Sequence, residues 1–196
     1  MNVLPALRNV LEELTRRFGA QIEHAHAPQP NELYLHTKLG LAGAFCSTFY
    51  KKFQGRLAGV FAEDARDADQ VFYVYYLYAL DSAHGFVIVR VPVSADTPEI
   101  PSLTNAVHAV NWQEREVQDL FGIKLRGHPN PRRCALHDDW PEIHPLRKDF
   151  PLHTKLAPFS GERHKFRKVE GEGVFQVPVG PVHAGIIEPG HFLFSV

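Results

Sequence analysis

Cysteine is almost absent from this chain. Cys46 and Cys134 are the only two among 196 residues, and they form no CxxC pair. Two such distant thiols cannot build a disulfide framework, an iron–sulfur cluster or an all-cysteine zinc site. They fit a reducing, cytoplasmic setting. Long apolar runs are also missing, and none approaches the roughly 20 residues a membrane-spanning helix needs. Arg8, Glu12, Glu13, Arg16 and Arg17 break up the N-terminus, which therefore lacks the apolar stretch of a secretory leader. Any membrane association is expected to be indirect, through partners. The net charge of −1 supplies no global basic field for nucleic acid or anionic lipid. Phosphate-loop patterns are absent, and Gly171-Glu172-Gly173 does not make one. No Ser or Cys sits in a nucleophile elbow.

What is present is ordinary for a globular protein: 44% hydrophobic and 22% charged residues, enough for one domain with a core plus a tail. Val3, Leu7, Val10, Leu11, Leu14 and Phe18 recur at helical spacing and Gly19 offers a stop, so a helix is expected there. Phe45, Phe49 and Phe53 at four-residue steps predict a second helix over 39–53. Leu33 and Leu35 alternate in a short strand over 32–38, and a strand is expected over 56–62. QVFYVYYLYAL (70–80) and FVIVRVPV (86–93) are rich in β-branched and aromatic residues and predict a central hairpin across the turn 81–85. The expected fold is a two-layer α+β domain, with N-terminal helices packed on a mixed or antiparallel sheet. The segment 25–31 reads as a loop.

After Val93 the character changes. A short helix over 111–121 ends at Gly122. From Lys124 onward prolines recur at 129, 131, 141, 145, 151 and 158. The expected organisation is a domain over 1–123, an extended arm over 124–172 that needs another surface to lie on, and a β-hairpin tail over 173–196.

The densest segment is Asn111–Gly122. On a helix, Trp112, Glu116 and Asp119 share one side, and Arg115 and Asp119 stand four apart and can pair. Glu114 and Glu116 as an acid/base couple is weakened because residues two apart point to different sides. The simpler reading is an anchor: carboxylates accepting hydrogen bonds from a folded-over arm, with Trp112, Val117, Leu120 and Phe121 in the core. Further on, His128 and His144 each precede a proline and then cations. Extended backbone would hold Arg132, Arg133, Arg147 and Lys148 outward in rows, able to clamp carboxylates or phosphate. Asp138, Asp139, Glu142 and Asp149 interleave with them, which argues against nucleic acid. There are twelve histidines, but no HxxxH or HExxH, so packing is a simpler role for them than metal binding.

The run WQEREVQDLFGIKLRGHPNPRR followed by HPLRKDFPL resembles the signature of the thirty-kilodalton subunit family of respiratory complex I, the C component of NADH dehydrogenase. PEIPSLTNAVHAVN and the strand pair fit the same pattern. The resemblance implies an α+β domain without a cofactor, whose arm wraps a neighbouring subunit and braces the quinone-site and iron–sulfur subunits. The tail from Phe175 to Phe192 is similar to the start of the large subunit of formate-hydrogenlyase-type energy-converting nickel–iron hydrogenases, where both domains share one chain. Gly180, Pro181 and His183 match the GPxHPxxHG of complex I large subunits. The remainder does not, so no quinone site is transferred. The nickel-binding CxxC pairs of the hydrogenases do not occur in these residues.

Together these readings predict a non-catalytic assembly subunit, or the N-terminal portion of a fused large subunit. It would serve a complex I-like oxidoreductase, peripheral on the inner face of the cell membrane. Nickel–iron, iron–sulfur or quinone groups are expected in its partners, the catalytic large subunit and the iron–sulfur subunits. The expected partner-binding residues are Glu114, Arg115, Glu116, Asp119, His128, Arg132, Arg133, His144, Arg147, Lys148, Asp149 and His183. The alternatives are the thirty-kilodalton component of an NADH:quinone oxidoreductase and, more distantly, a stand-alone metal-dependent hydrolase.

Overall fold

Alternating burial along three strands sets the architecture. In the computed structural model, which describes residues 1–38, 40–156, 167–187 and 189–196, Leu33 and Leu35 turn to one face of the sheet with Val74, Tyr76, Tyr78, Val87, Val89 and Val91, all buried. That face is covered by helix α1 (Pro5–Phe18), through Leu7, Val10 and Leu14, and by α2 (Ala42–Lys52), through Phe45, Cys46 and Phe49. Pro5 opens α1, where its missing N–H costs nothing. Phe49 stacks on Tyr78 and Phe18 on Phe45, tying both helices to the core.

The sheet has five strands: β1 (Ile22–His26), β2 (Glu32–Thr37), β3 (Arg56–Ala65), β4 (Val71–Leu80) and β5 (Gly85–Ser94), in the order β1-β2-β5-β4-β3. Strands β4 and β5 form the expected antiparallel hairpin, from Val71 opposite Ser94 to Leu80 opposite Gly85. Strand β2 joins β5 in parallel, which makes the sheet mixed. The two-layer α+β reading holds. Strand β1 was not expected, because IEHAH carries few of the residue types that mark strands. It forms by pairing with β2 at the sheet edge. The short helix α3 (Arg66–Asp69) links β3 to β4.

The boundary expected after residue 123 is not where the chain divides. One compact unit runs from Met1 to Leu156, and a second takes in Ala157–Val196. Strand β6 (Glu99–Pro101) pairs in parallel with β7 (Lys124–Arg126), so the arm's first residues complete a ladder of the globular unit. Between them lies helix α4 (Asn111–Phe121), packed on β3. In the second unit, β8 (Gln176–Val182) and β9 (Gly190–Ser195) form the expected antiparallel hairpin. Of the predicted arm, residues 157–166 lie outside the described residues, as do Leu39 at the head of the predicted second helix and Glu188 in the tail.

Candidate interaction site

Helix α4 is the hub on which the arm is fastened. At about 100° per residue, Glu114, Val117 and Phe121 share the face that meets the core, and all three are buried. Trp112 points to the opposite side and is 73% exposed, which corrects its expected place in the core. Glu114 is fully buried. It accepts hydrogen bonds from the Ser102 hydroxyl (2.6 Å), the Leu103 N–H (2.7 Å) and the Thr104 hydroxyl (2.8 Å). A buried carboxylate is tolerable when its lone pairs are filled this way. His128 Nε2 stands 4.0 Å from it. That nitrogen faces the Asn111 carbonyl, while Nδ1 accepts the Asn130 N–H. These partners describe a neutral ring donating through Nε2. Glu116 is exposed, so the two glutamates form no couple.

From its flank, at Gln118, round to the side that Asp119 shares with Trp112, α4 grips the arm. Asp119 Oδ2 accepts the N–H groups of Cys134 and Ala135 at 2.8 Å and of Leu136 at 3.2 Å. This is the expected anchor, a carboxylate taking up the backbone of a folded-over arm. Arg115 does not pair with Asp119. Its Nε and Nη2 donate to the carbonyls of Arg132 (2.5 Å) and Arg133 (2.7 Å), and Gln118 donates to the Pro131 carbonyl. Arg133 turns inward to the carbonyls of His137 and Trp140 and to the Glu142 carboxylate (2.6 Å).

A second fastening closes the helix end. The last carbonyls of an α-helix lack partners within the helix and carry partial negative charge. Here His144 Nδ1 donates to the Asp119 carbonyl (2.8 Å), the Leu146 N–H to that of Leu120 (3.1 Å), and Arg147 Nε to that of Phe121 (2.7 Å). Gly122 sits at φ +72°, and any side chain there would run into His144 and Arg147. A third fastening reaches β3. Asp64, buried at its end, accepts the Lys148 N–H (2.9 Å) and the Arg66 guanidinium, which also makes a two-pronged contact with Asp149. Hydrogen bonds from Arg66 hold the carboxyls of Asp64 and Asp149 below their usual range. Arg66 and Arg147 lie over the Phe72 ring, at 5.0 and 5.3 Å.

The twelve expected residues therefore divide. Glu114, Arg115, Asp119, His128, Arg133, His144, Arg147 and Asp149 are engaged within the unit, which corrects the expectation of cations held outward in rows along an arm without support. Lys148 contributes its backbone N–H, and its side chain is exposed. Among the described residues no ion pair engages the exposed side chains of Glu116, Arg132 and Lys148. His183 lies in the second unit, exposed, and its Nδ1 accepts the Gly185 N–H. Sequence reading missed Asp64, Arg66, Ser102, Thr104 and Gln118. No local pattern announces that Asp64 and Arg66, which pair with each other, also hold arm residues more than eighty positions away. Among the described residues no group of three His, Cys, Asp or Glu side chains is placed to hold a metal ion, and no helix is long and apolar enough to cross a membrane.

The family model described as respiratory-chain NADH dehydrogenase, 30 Kd subunit, matches residues 43–156. Hydrogenase-4 component G of Escherichia coli strain K12 is 33% identical over 192 residues, 95% of this chain and 34% of that protein. Formate hydrogenlyase subunit 5 of the same organism is 36% identical over 183 residues, 91% of this chain and 32% of that protein. The chain thus spans about a third of the length of these two relatives. The C component of the NADH-quinone oxidoreductase of Moorella thermoacetica is 35% identical over 156 residues, 79% of this chain and 97% of that protein. The fold also matches a chain of the membrane-bound sulfane sulfur reductase, an archaeal respiratory membrane complex. The TM-score is 0.66 at 16% identity, covering 82% of this chain and 98% of that one.

Proposed function

This chain belongs to the family of the 30 Kd subunit of respiratory-chain NADH dehydrogenase, and from that premise we propose that it is an accessory component of a membrane-associated oxidoreductase of the hydrogenase kind. It serves by gripping neighbouring subunits. One observation carries the choice of hydrogenase over quinone reductase. The match to hydrogenase-4 component G takes in 95% of the chain, too much to leave the β8–β9 hairpin outside it, whereas the match to the Moorella protein leaves out about a fifth. The hairpin is the part that resembles a large subunit's beginning.

Electron transfer is assigned to partners: a catalytic large subunit, or the remainder of one fused chain, and iron–sulfur subunits. Two separated cysteines, one buried and one exposed, do not supply the four thiolates that a cluster takes. The reading places the complex on the inner face of the cell membrane. A second reading, the thirty-kilodalton component of an NADH:quinone oxidoreductase, draws on the 97% of the Moorella protein that the chain covers.

The test is purification of the tagged chain from detergent-solubilised membranes of its source, with hydrogen-dependent and NADH-dependent dye reduction assayed on the eluate. Hydrogen-dependent activity co-eluting with iron–sulfur proteins is expected. NADH-dependent activity would favour the second reading. Turnover by the chain alone, free of other subunits, would end both.

A further inference from the structure

Trp112 and Glu116 follow one another along α4, and the unit that carries them uses neither side chain. Positions four apart lie about 40° round a helix and about 6 Å along it. Trp112 is 73% exposed, and among the described residues no aromatic ring or cation lies against its indole. A tryptophan left this open is informative, because covering so large a ring is favourable. The Glu116 side chain is exposed too, and among the described residues no ion pair engages it. One turn further on, Leu120 opens onto a groove of about 130 Å³ between α4 and the edge strand β3. Val60, Phe61, Ala62 and Leu146 line it as well, and Glu116 stands beside it. Phe61 and Leu146 are each about half exposed, so the groove is apolar and open. An indole, a carboxylate and an apolar groove thus succeed one another within about 12 Å of helix.

The charges around this stripe are disposed for a cation. Glu63 lies two residues beyond Phe61, on the same face of β3. It accepts the Tyr75 hydroxyl, is half exposed, and reaches Arg90 only at 3.9 Å. The guanidinium groups nearby are already committed. Arg115 is held by the carbonyls of Arg132 and Arg133, Arg147 by that of Phe121, and Arg90 lies over the Tyr73 ring. Lys148 lines a separate depression with Asp67 and Asp149, and Arg132 lines another with Asp138 and Glu142. His108 is exposed in the turn that precedes the helix.

We propose that this side of α4 is a docking surface for an arginine-aliphatic segment of a neighbouring subunit. The arginine lies over Trp112 and donates to Glu116, and an adjacent aliphatic side chain enters the groove beside Leu120. The assignment rests on the assembly role inferred above. Charge complementarity selects a cation, since the charged group between indole and groove is a carboxylate without a partner. The indole selects arginine over lysine, because a planar guanidinium stacks on the ring while its N–H groups reach the carboxylate. The groove selects a polypeptide over a free cation, since it offers an apolar side chain a place to be buried.

The probe is a short synthetic peptide, acetyl-Arg-Leu-Arg-Leu-amide, titrated into the full chain while the tryptophan indole N–H resonances are followed by NMR. The chain has two tryptophans, and Trp140, whose indole donates to the Ile143 carbonyl, serves as the internal control. Counterparts with citrulline, lysine or glutamate in place of arginine are the comparison ligands. A saturable shift of the Trp112 resonance is expected, with the Trp140 resonance unmoved, and each counterpart should bind more weakly. Glu116→Gln should weaken binding by about two- to five-fold, the loss of one exposed ion pair. Trp112→Ala should weaken it further, read from the Leu146 amide resonance. Both side chains are exposed, so both variants should unfold at the parent's temperature. Absence of a saturable shift, equal binding of any counterpart, or indifference to either substitution would each overturn the proposal. None of these outcomes bears on whether the tagged chain co-purifies with redox subunits, so the two readings fail separately.

Discussion

Arg147 donates its Nε hydrogen to the carbonyl of Phe121 at 2.7 Å, so the arm caps the helix it has just left. The helix's terminal carbonyls, which would otherwise be unsatisfied, take two side-chain donors and one backbone amide of the arm, while three further arm amides go to the Asp119 carboxylate. Proline-rich backbone can fold back in this way because the helix supplies the partners that a sheet would otherwise provide.

The clearest consequence concerns Asp119. Its carboxylate takes three successive N–H groups, and charged hydrogen bonds are worth about 1.5–3 kcal/mol each in favourable cases. Asp119→Ala should release residues 131–136 and lower stability by about 2–4 kcal/mol. Hydrogen exchange at Cys134, Ala135 and Leu136 should quicken by orders of magnitude, while the β4–β5 ladder keeps its protection. Unchanged exchange at those three amides would refute the anchor.

Glu114 gives a different signature, because it braces the segment before the helix. Glu114→Ala leaves the donors of Ser102, Leu103 and Thr104 buried and unpaired, each costing about 1–3 kcal/mol. The expected result is a marginally folded or unfolded chain by thermal and urea denaturation. Glu114→Gln should be milder, since its carbonyl oxygen still accepts. Equal stability of the alanine variant and the parent would refute the bracing role.

Much of this is legible in the sequence, and the reasons differ by element. The β4–β5 hairpin and helices α1 and α4 announce themselves through periodicity, and Gly122 marks the end of α4 by its conformation. Asp119 stands out as an anchor because a carboxylate on the outer side of a helix, followed by a proline-rich segment, has an evident use. Strand β1 is hidden because IEHAH becomes a strand only through β2. The destination of Arg133 and Arg147 is hidden for a related reason. A row of cations looks outward until the carbonyls of a helix end are known to lie behind it. Trp112 misleads by type, since a tryptophan is usually interior and this one stands on the far side of the wheel from Val117.

Acid should loosen the arm at one identifiable place. Asp64 and Asp149 both titrate below their ordinary values in the folded chain, chiefly because Arg66 donates to them. A lowered folded-state value contributes stability that is complete above the unfolded carboxylate value of about 4 and is lost as pH falls toward the folded one. Stability should therefore decline below about pH 4. Arg66→Gln should lower stability at neutral pH and shallow that decline, since it removes the cause of both shifts. Parallel acid limbs for parent and variant in pH-resolved urea denaturation would count against the Arg66 bridge.

The second unit sets the last expectation. Among the described residues strands β8 and β9 pair only with each other, and Phe175, Val179, Val182, Phe192 and Phe194 stand exposed on them or beside them. A two-stranded hairpin is marginal in water by itself, because it has no second layer to bury its apolar residues. In the isolated chain the amides of 176–182 and 190–195 should exchange within seconds to minutes, well before those of β4 and β5. In the purified complex they should become slow, as a neighbouring surface covers Phe192 and Phe194. Replacing both phenylalanines by serine should leave the folding of the Met1–Leu156 unit unchanged and weaken co-purification with the partner subunits. Slow exchange of the hairpin in the isolated chain, or undiminished assembly of the double variant, would show that this surface needs no partner.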